Sequence, residues 1–405
     1  MAPNSRIADL ASIIQEHTSN VDAYLASKNL PSPSFNISCP LRLSLRPEIQ
    51  ASRNAVLEAT DELTALMLGP VESLIPPREI IPPTTTSTFS EIAKACSIPE
   101  SDCRSLIRHA MSFYIFHEPS PGVVAHTASS KALAEIPPVG DFIGFVSEEM
   151  LPASTRLVDA MVKWPGSQES NETGFALVYG TDVPMMKYIS GDTRRAQQMG
   201  RAMPFLKSRP SESVQRVLES FSWGDAAQGL LVDVGGAKGT VAIELCRFLP
   251  KIKCIVQDQL EVVKDMTTPD DLQERISFMA HDFFQEQPVK GADVYLTSNV
   301  LHNWSDKYAA KILSNLIPAL KKGAKVLVCD RCLPDPCTLS PYQVRRQRAD
   351  DLHMKGIQNA RGRDPTDWKQ LFESVDSRFQ SFQVGTVDGS ELSMISVTWE
   401  GEAAY

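Results

Sequence analysis

Between residues 230 and 246 the chain reads LLVDVGGAKGTVAIELC, an apolar strand interrupted by Gly235, Gly236 and Gly239 before a helix opens. Glycines at such a turn let the backbone come close to a ligand lying beyond the carboxyl end of a strand in a parallel sheet. Asp258, at the end of the next apolar run KCIVQD, follows Gly235 by 23 residues. That separation suits a carboxylate accepting the hydroxyls of a ribose. Another acid, Asp282, follows the third run and precedes Phe283. A purely structural tight turn would account for the glycines but not for acids placed this way. A dinucleotide is one candidate ligand, but the pattern is Asp233-x-Gly235-x-Ala237-x-Gly239 rather than G-x-G-x-x-G. An acid two residues before the first glycine suits a cationic amino-acid moiety better than a pyrophosphate, which favours S-adenosyl-L-methionine over NAD.

These residues need a scaffold, and the texture after residue 229 supplies one. GLLVDVGG, KIKCIVQD, ISFMAHDFF, GADVYLTSN and AKVLVCDRCL are near-continuous aliphatic and β-branched runs, alternating with helical stretches such as KYAAKILSNLIPALKKG. Runs of this kind indicate parallel strands covered on both faces, an α/β Rossmann-type domain. From about Asp141 to Lys207 the pieces STRLVDAMVKW and DTRRAQQMGRAMPFL are amphipathic helices joined by the polar loop GSQESNETGFALVYGTDVP, an arrangement suited to the wall of a pocket.

The N-terminal part reads differently. A helix is expected over residues 5–27, then a Pro/Ser-rich connector, then a helix from Pro47 to Leu68 stopped by Gly69-Pro70. A short helix, a turn at Ile98-Pro99, a helix capped by Ser101 and two strands around Pro121-Gly122 follow, the order of a winged helix-turn-helix. A winged helix raises DNA binding as a possibility, yet its second helix offers only Arg104, Arg108 and His109 against Glu100 and Asp102. The chain as a whole carries a formal charge of −9. Phosphate neutralisation dominates DNA affinity, so nucleic acid is not the expected partner.

At 405 residues with 42% hydrophobic content the chain can build two cored domains. No window reaches a membrane span and MAPNSRIADLASIIQEH lacks the order of a signal peptide, so neither a membrane nor export is expected and the cytoplasm is the expected location. The eight cysteines are scattered; Cys329, Cys332 and Cys337 have no companion cluster to complete a zinc site, and no metal is expected.

The spaced set VDVGGAKG, VQDQ, HDFF, NVLHNWSD and LVCDRCLPDP resembles the plant caffeate-type O-methyltransferases. GVVAHTA, KWPGSQESNETGF and GDTRRAQQMGRAM resemble the fungal members of that family, typical of secondary metabolism, and the likeness spans about residues 50–400. It implies a class I S-adenosyl-L-methionine-dependent methyltransferase domain over residues 141–405, with 141–210 as a helical pocket wall. It also implies that residues 1–140 form a winged-helix domain that dimerises and caps the pocket of the partner in a homodimer. The acceptor would be a hydroxyl of a small aromatic or polyketide-type metabolite.

Carried over position by position, the resemblance places a general base at His302, flanked by carboxylates at Asp330 and Asp364, with Asn359 on the substrate. A phenol, with a pKa near 10, is a poor nucleophile at neutral pH, and an imidazole that takes its proton makes it a good one. A histidine outside such a motif would more simply pack at the start of the helix near Ser305. Trp164, Phe175 and Met354, with Met185 and Met186, suit a flat apolar acceptor, although each residue type is also common in cores. The chain departs from the family pattern at Ala237, a glycine position, and at Asn303, where Asp is usual. It departs also at Ser298, a cofactor-side position where a basic residue is common, and in the shorter acids Asp330 and Asp364, where Glu is usual. Some fungal relatives keep the cofactor but catalyse pericyclic or dehydration steps, with Arg or Lys at the base position; the histidine here favours methyl transfer.

Overall fold

The computed structural model describes residues 5–33, 45–72, 86–207, 213–387 and 390–403. Most of the Pro/Ser-rich connector, residues 34–44, lies outside them. The chain divides into two compact units, Met1–Ile143 and Gly144–Tyr405.

In the first unit, helix Arg6–Ser27 is capped by the Ser5 hydroxyl, which accepts from the Ala8 amide, and it pairs with helix Pro47–Glu72. His17 faces that partner, its Nδ1 lying 3.2 Å from Ser52 Oγ. The expected stop at Gly69-Pro70 is a kink instead: Gly69 leaves helical geometry at φ +76°, and helical residues resume to Glu72. Strand β1 (Ser87–Thr88) leads into helix Phe89–Cys96, and Thr88 and Glu91 form a reciprocal cap at its start. The next helix, Glu100–Met111, begins one residue earlier than the sequence suggests. Pro99 is its cap, while Ser101 lies within the first turn with its hydroxyl on Asp102. Strands β2 (Phe116–Ser120) and β3 (Val123–His126) complete a three-stranded sheet in the order β1-β3-β2. Its small core holds Phe89, Ile92, Ile107, Ile115 and Val124. The cations of the second helix are paired within the unit, Arg104 with Glu100 and Arg108 with Glu118, and both lie over the Phe89 ring.

The second unit is built on a seven-stranded sheet in the order β6-β5-β4-β7-β8-β10-β9. Strands β4 (Leu230–Val234), β5 (Lys253–Asp258), β6 (Ile276–Ala280), β7 (Val294–Ser298) and β8 (Lys325–Arg331) are parallel. Their side chains enter one of two apolar layers. Val232, Tyr295 and Val326 pack with helix Asp306–Leu316, and Leu231, Val294 and Leu327 pack with helix Thr240–Phe248. Beyond the strand–helix alternation legible in the sequence, β10 (Leu392–Trp399) pairs antiparallel to β8, and β9 (Phe379–Thr386) pairs antiparallel to β10 at the edge of the sheet. The sheet is therefore mixed at one edge. The chain reverses order between β6 and β7, so the carboxyl ends of β4 and β7 flank a switch point of the kind that receives ligands in doubly wound folds.

Before β4 the unit is helical, as expected. This helical part contains a buried ion pair in which Arg195 Nε lies 2.7 Å from Glu149 Oε1 and Arg195 Nη2 contacts Glu149 Oε2. The Arg195 guanidinium lies 4.6 and 5.0 Å from the ring centres of Tyr179 and Tyr188. Burial and the neighbouring Glu149 charge push the Tyr179 phenol up to about 12. No described helix is long and apolar enough to cross a membrane.

Candidate active site

The turn after β4 is where the sheet leaves room for a ligand. Gly235 stands at φ +76°, and a Cβ there would lie 2.9 Å from Val300 Cγ2. A Cβ at Gly236 would meet the Asp233 carboxylate at 2.5 Å and Val256 Cγ1 at 2.9 Å. Both positions accept glycine alone without a shift in their neighbours. Gly239 caps helix Thr240–Phe248 in the left-handed region, and Ala237 is held at φ +50°, a conformation that costs a residue with a Cβ about 1–2 kcal/mol. Asp233 is fully buried beneath this turn.

Asp258, at the end of β5, faces the turn: its Oδ2 accepts from the Ala237 amide at 2.9 Å and its Oδ1 from the Gln259 amide at 2.8 Å. Each oxygen therefore accepts one amide and keeps capacity for a further donor. Asp282 is exposed and accepts from the Phe284 amide at 2.9 Å. Phe283, edge-on to Phe284 and Trp304, comes within 3.6 Å of the Cβ position at Gly235. A ribose needs a carboxylate with free acceptor sites, and a flat base needs an aromatic neighbour beside closely approaching backbone. The residues present fit an adenosyl ligand.

The second cluster lies on β7 and β8. After β7 the chain turns through Asn299, at φ +55°, into a single tight turn, Leu301–Asn303. Asp330, in β8, is fully buried and receives both the His302 backbone amide, 3.0 Å from Oδ2, and the ring Nδ1, 2.6 Å from Oδ1. A carboxylate can only accept, so Nδ1 carries the proton and Nε2 is left as the acceptor of the ring. Burial alone would raise the Asp330 carboxyl; the His302 imidazole and the hydrogen bonds from His302 and Arg331 outweigh it and hold the group below its usual range.

Arg363 fixes this turn from outside. It is buried, donates to the carbonyls of Leu301 and Trp304 at 3.0 and 2.9 Å, and pairs with Asp306 at 2.8 Å. Asn303 donates to the carbonyls of Asn299 and Val300 and accepts from Gln358. His302 lines a small cavity of about 20 Å³ with Met354, Gln347 and Asp350. A larger cavity of about 210 Å³ is lined by Leu157, Met161, Trp164, Glu172, Lys355 and Asn359 among others.

Residues 160–376 match the O-methyltransferase domain family. The chain is 35% identical over 415 residues to the O-methyltransferase kk1A of Curvularia clavata, covering 98% of each chain. It belongs to the S-adenosylmethionine-dependent O-methyltransferases. Its fold is similar to that of OxaC with SAH and oxaline, at a TM-score of 0.66 and 19% identity over 96% of this chain and all of the other. A structure described as a pericyclic reaction enzyme is similar at a TM-score of 0.61 and 18% identity, over 97% of this chain and 99% of the other.

In this methyltransferase the expected site residues do not all gather in one place. His302 and Asp330 are joined directly, and Met354 lines the same cavity as His302. Trp164 and Asn359 line the larger cavity. Asn359 spends its amide N–H groups on the carbonyls of Ser167 and Glu169, at 3.1 and 3.0 Å, and on Ser167 Oγ, so it clamps the 167–169 loop. Phe175 lines neither cavity; it is fully buried, its ring 4.6 Å from that of Tyr179. Ser298 ends β7 beside the Cys329 thiol.

Asp364 departs furthest from expectation. It caps helix Pro365–Val375, its Oδ1 accepting from the Asp367 amide at 2.8 Å, and it makes no hydrogen bond to His302. An N-terminal cap followed by proline explains the placement, because the first-turn amides need a partner. Asp364→Ala is expected to cost about 1 kcal/mol of stability, and Asp364→Ser to restore both the thermal midpoint and the methyl-transfer rate. A serine variant with restored stability and a slow rate would assign Asp364 to the chemistry. Sequence reasoning missed Arg363 and Lys355; the signal for Lys355 was its i, i+4 spacing from Asn359, which puts both on one helix face.

Proposed function

We propose that this O-methyltransferase acts on a hydroxyl of a small aromatic or polyketide-type metabolite with His302 as general base. We further propose that it works in the cytoplasm as a homodimer through its first unit. The observation that carries the base assignment is the 2.6 Å contact between His302 Nδ1 and the buried Asp330. When bound, S-adenosylmethionine supplies an electrophilic methyl on a sulfonium. Asp258 would accept the ribose hydroxyls, with the backbone of Gly235–Gly239 and the Phe283 ring beside the adenosyl group. His302 Nε2 would take the proton of the acceptor hydroxyl, leaving its oxygen free to accept the methyl group that the cofactor supplies. Asp330 holds the ring orientation and stabilises the imidazolium produced. The pinned turn around His302 keeps the base in place, and positioning of this kind supplies much of the rate.

The test is stoichiometry. Incubated with hydroxylated aromatic acceptors, the enzyme should release one S-adenosylhomocysteine for every product, each product heavier by one CH₂. Conversion of an acceptor to an isomer of equal mass, or to its dehydrated form, without consumption of S-adenosylmethionine would establish a pericyclic or dehydrating reaction instead.

A further inference from the structure

The larger cavity has a mixed lining. Leu157, Ala160, Met161 and Trp164 give it an apolar lining, and Lys355 and Asn359, from the end of helix Pro341–Gln358, add polar groups to it. Its volume of about 210 Å³ is enough for one substituted ring, since a cavity of about 150 Å³ takes benzene.

Lys355 is half-buried, and its one hydrogen-bond partner among the described residues is the neutral Asn359 side-chain oxygen. No described carboxylate lies within ion-pair distance of its ammonium. The buried cations elsewhere in this unit each have one: Arg195 has Glu149, and Arg363 has Asp306. Glu172 also lines the cavity, its Oε2 accepting from the Ser167 hydroxyl, but it is not within ion-pair distance of Lys355, and the charges acting on Lys355 are those of Arg361, Asp351 and Asp306. Burial, reinforced by Arg361, pushes the ammonium below its ordinary value, as expected of a cation short of a counter-ion. An ammonium has three donors, and Asn359 takes one. The two that remain, beside an apolar wall, suit an anion carried on a flat ring.

We propose that Lys355 binds a carboxylate of the acceptor, so that the substrate is an aromatic hydroxy acid whose ring lies against the Trp164 wall. This rests on the methyl-transfer reading above and adds the acceptor's charge to it. Met354 and Lys355, adjacent in the chain, face the cavity of His302 and the cavity of Asn359 respectively, so a single helix turn would serve both ends of the acceptor.

The experiment compares a dihydroxybenzoic acid with its methyl ester, in wild type, Lys355→Met and Lys355→Arg. Methyl-transfer kinetics are measured, together with calorimetric binding of each probe to the enzyme saturated with S-adenosylhomocysteine. Wild type should prefer the acid. Lys355→Met should raise the KM and Kd for the acid by about tenfold or more, the loss of one charged hydrogen bond, while the ester and kcat change little. Lys355→Arg should keep the acid preference, and S-adenosylhomocysteine affinity should be the same in all three. A wild type that prefers the ester, or a Lys355→Met variant that weakens both probes equally, overturns the carboxylate subsite and leaves methyl transfer standing. Lys355-dependent binding of the acid without methylation of either probe keeps the subsite and overturns methyl transfer. Absence of both binding and turnover overturns the subsite.

Discussion

His302→Ala is expected to lower the methyl-transfer rate by about 10² to 10⁴-fold, the usual contribution of a positioned general base, with S-adenosylhomocysteine affinity unchanged. The separation of effects follows from the geometry. His302 lies on the turn after β7 and is held by Asp330 in β8, whereas Asp258 ends β5 and the glycine turn follows β4. Removing the imidazole also leaves a buried Asp330 oxygen with one donor fewer, so the thermal midpoint should be measured beside the rate. His302→Gln fills much of the same volume and can still donate to Asp330, but it cannot take a proton. A glutamine variant as stable as wild type and as slow as alanine would place the loss in proton transfer. Wild-type turnover by either variant would remove His302 from the mechanism.

Asp258→Ala is expected to weaken S-adenosylhomocysteine binding by about 10²-fold or more. Two hydrogen bonds to an ionised acceptor contribute about 1.5–3 kcal/mol each, and each 1.4 kcal/mol is a factor of ten. The same carboxylate also receives the Ala237 and Gln259 amides, so part of the loss would come from a loosened turn. Asp258→Asn separates the two effects, because its side-chain oxygen can still accept one of those amides. Calorimetry showing wild-type affinity in both variants would place the ribose elsewhere.

The parts of this site that were legible in the sequence are those fixed by backbone demands. Gly235 and Gly236 are required by positive φ or by a neighbour within 3 Å of any Cβ, and such demands leave a residue type at a definite place after a strand. Parallel strands buried on both faces are equally plain as aliphatic runs. The two final strands are less so: FQSFQVGT breaks its alternation at Gln380-Ser381, where the pairing with β10 shifts register, and its direction depends on β10 pairing with β8. Side-chain roles were harder, because one residue type serves several purposes. Asp364 before proline is both an acid near a candidate base and an ordinary helix cap, and only the hydrogen bond to Asp367 decides between them. The resemblance implies a substrate contact at Asn359, yet its donors are committed to backbone 190 residues away in the chain, a pairing that no local pattern announces. Phe175 shows the same limit, since an aromatic ring in a helical wall serves the core as readily as a pocket.

The short loop that follows helix Pro341–Gln358 carries Arg363, the residue that grips the carbonyls on either side of His302. With the roles proposed for Lys355 and His302, acceptor choice and base alignment would be inherited through one contiguous stretch of chain. On that reading, a lineage that remodels this helix for a new metabolite would also shift the turn that holds His302, and variants with altered acceptor range are expected to be slow until the loop readjusts. Recombination that exchanges residues 341–364 as a block would move both properties together, and breakpoints inside the block would separate the Lys355 side of the cavity from the Arg363 brace.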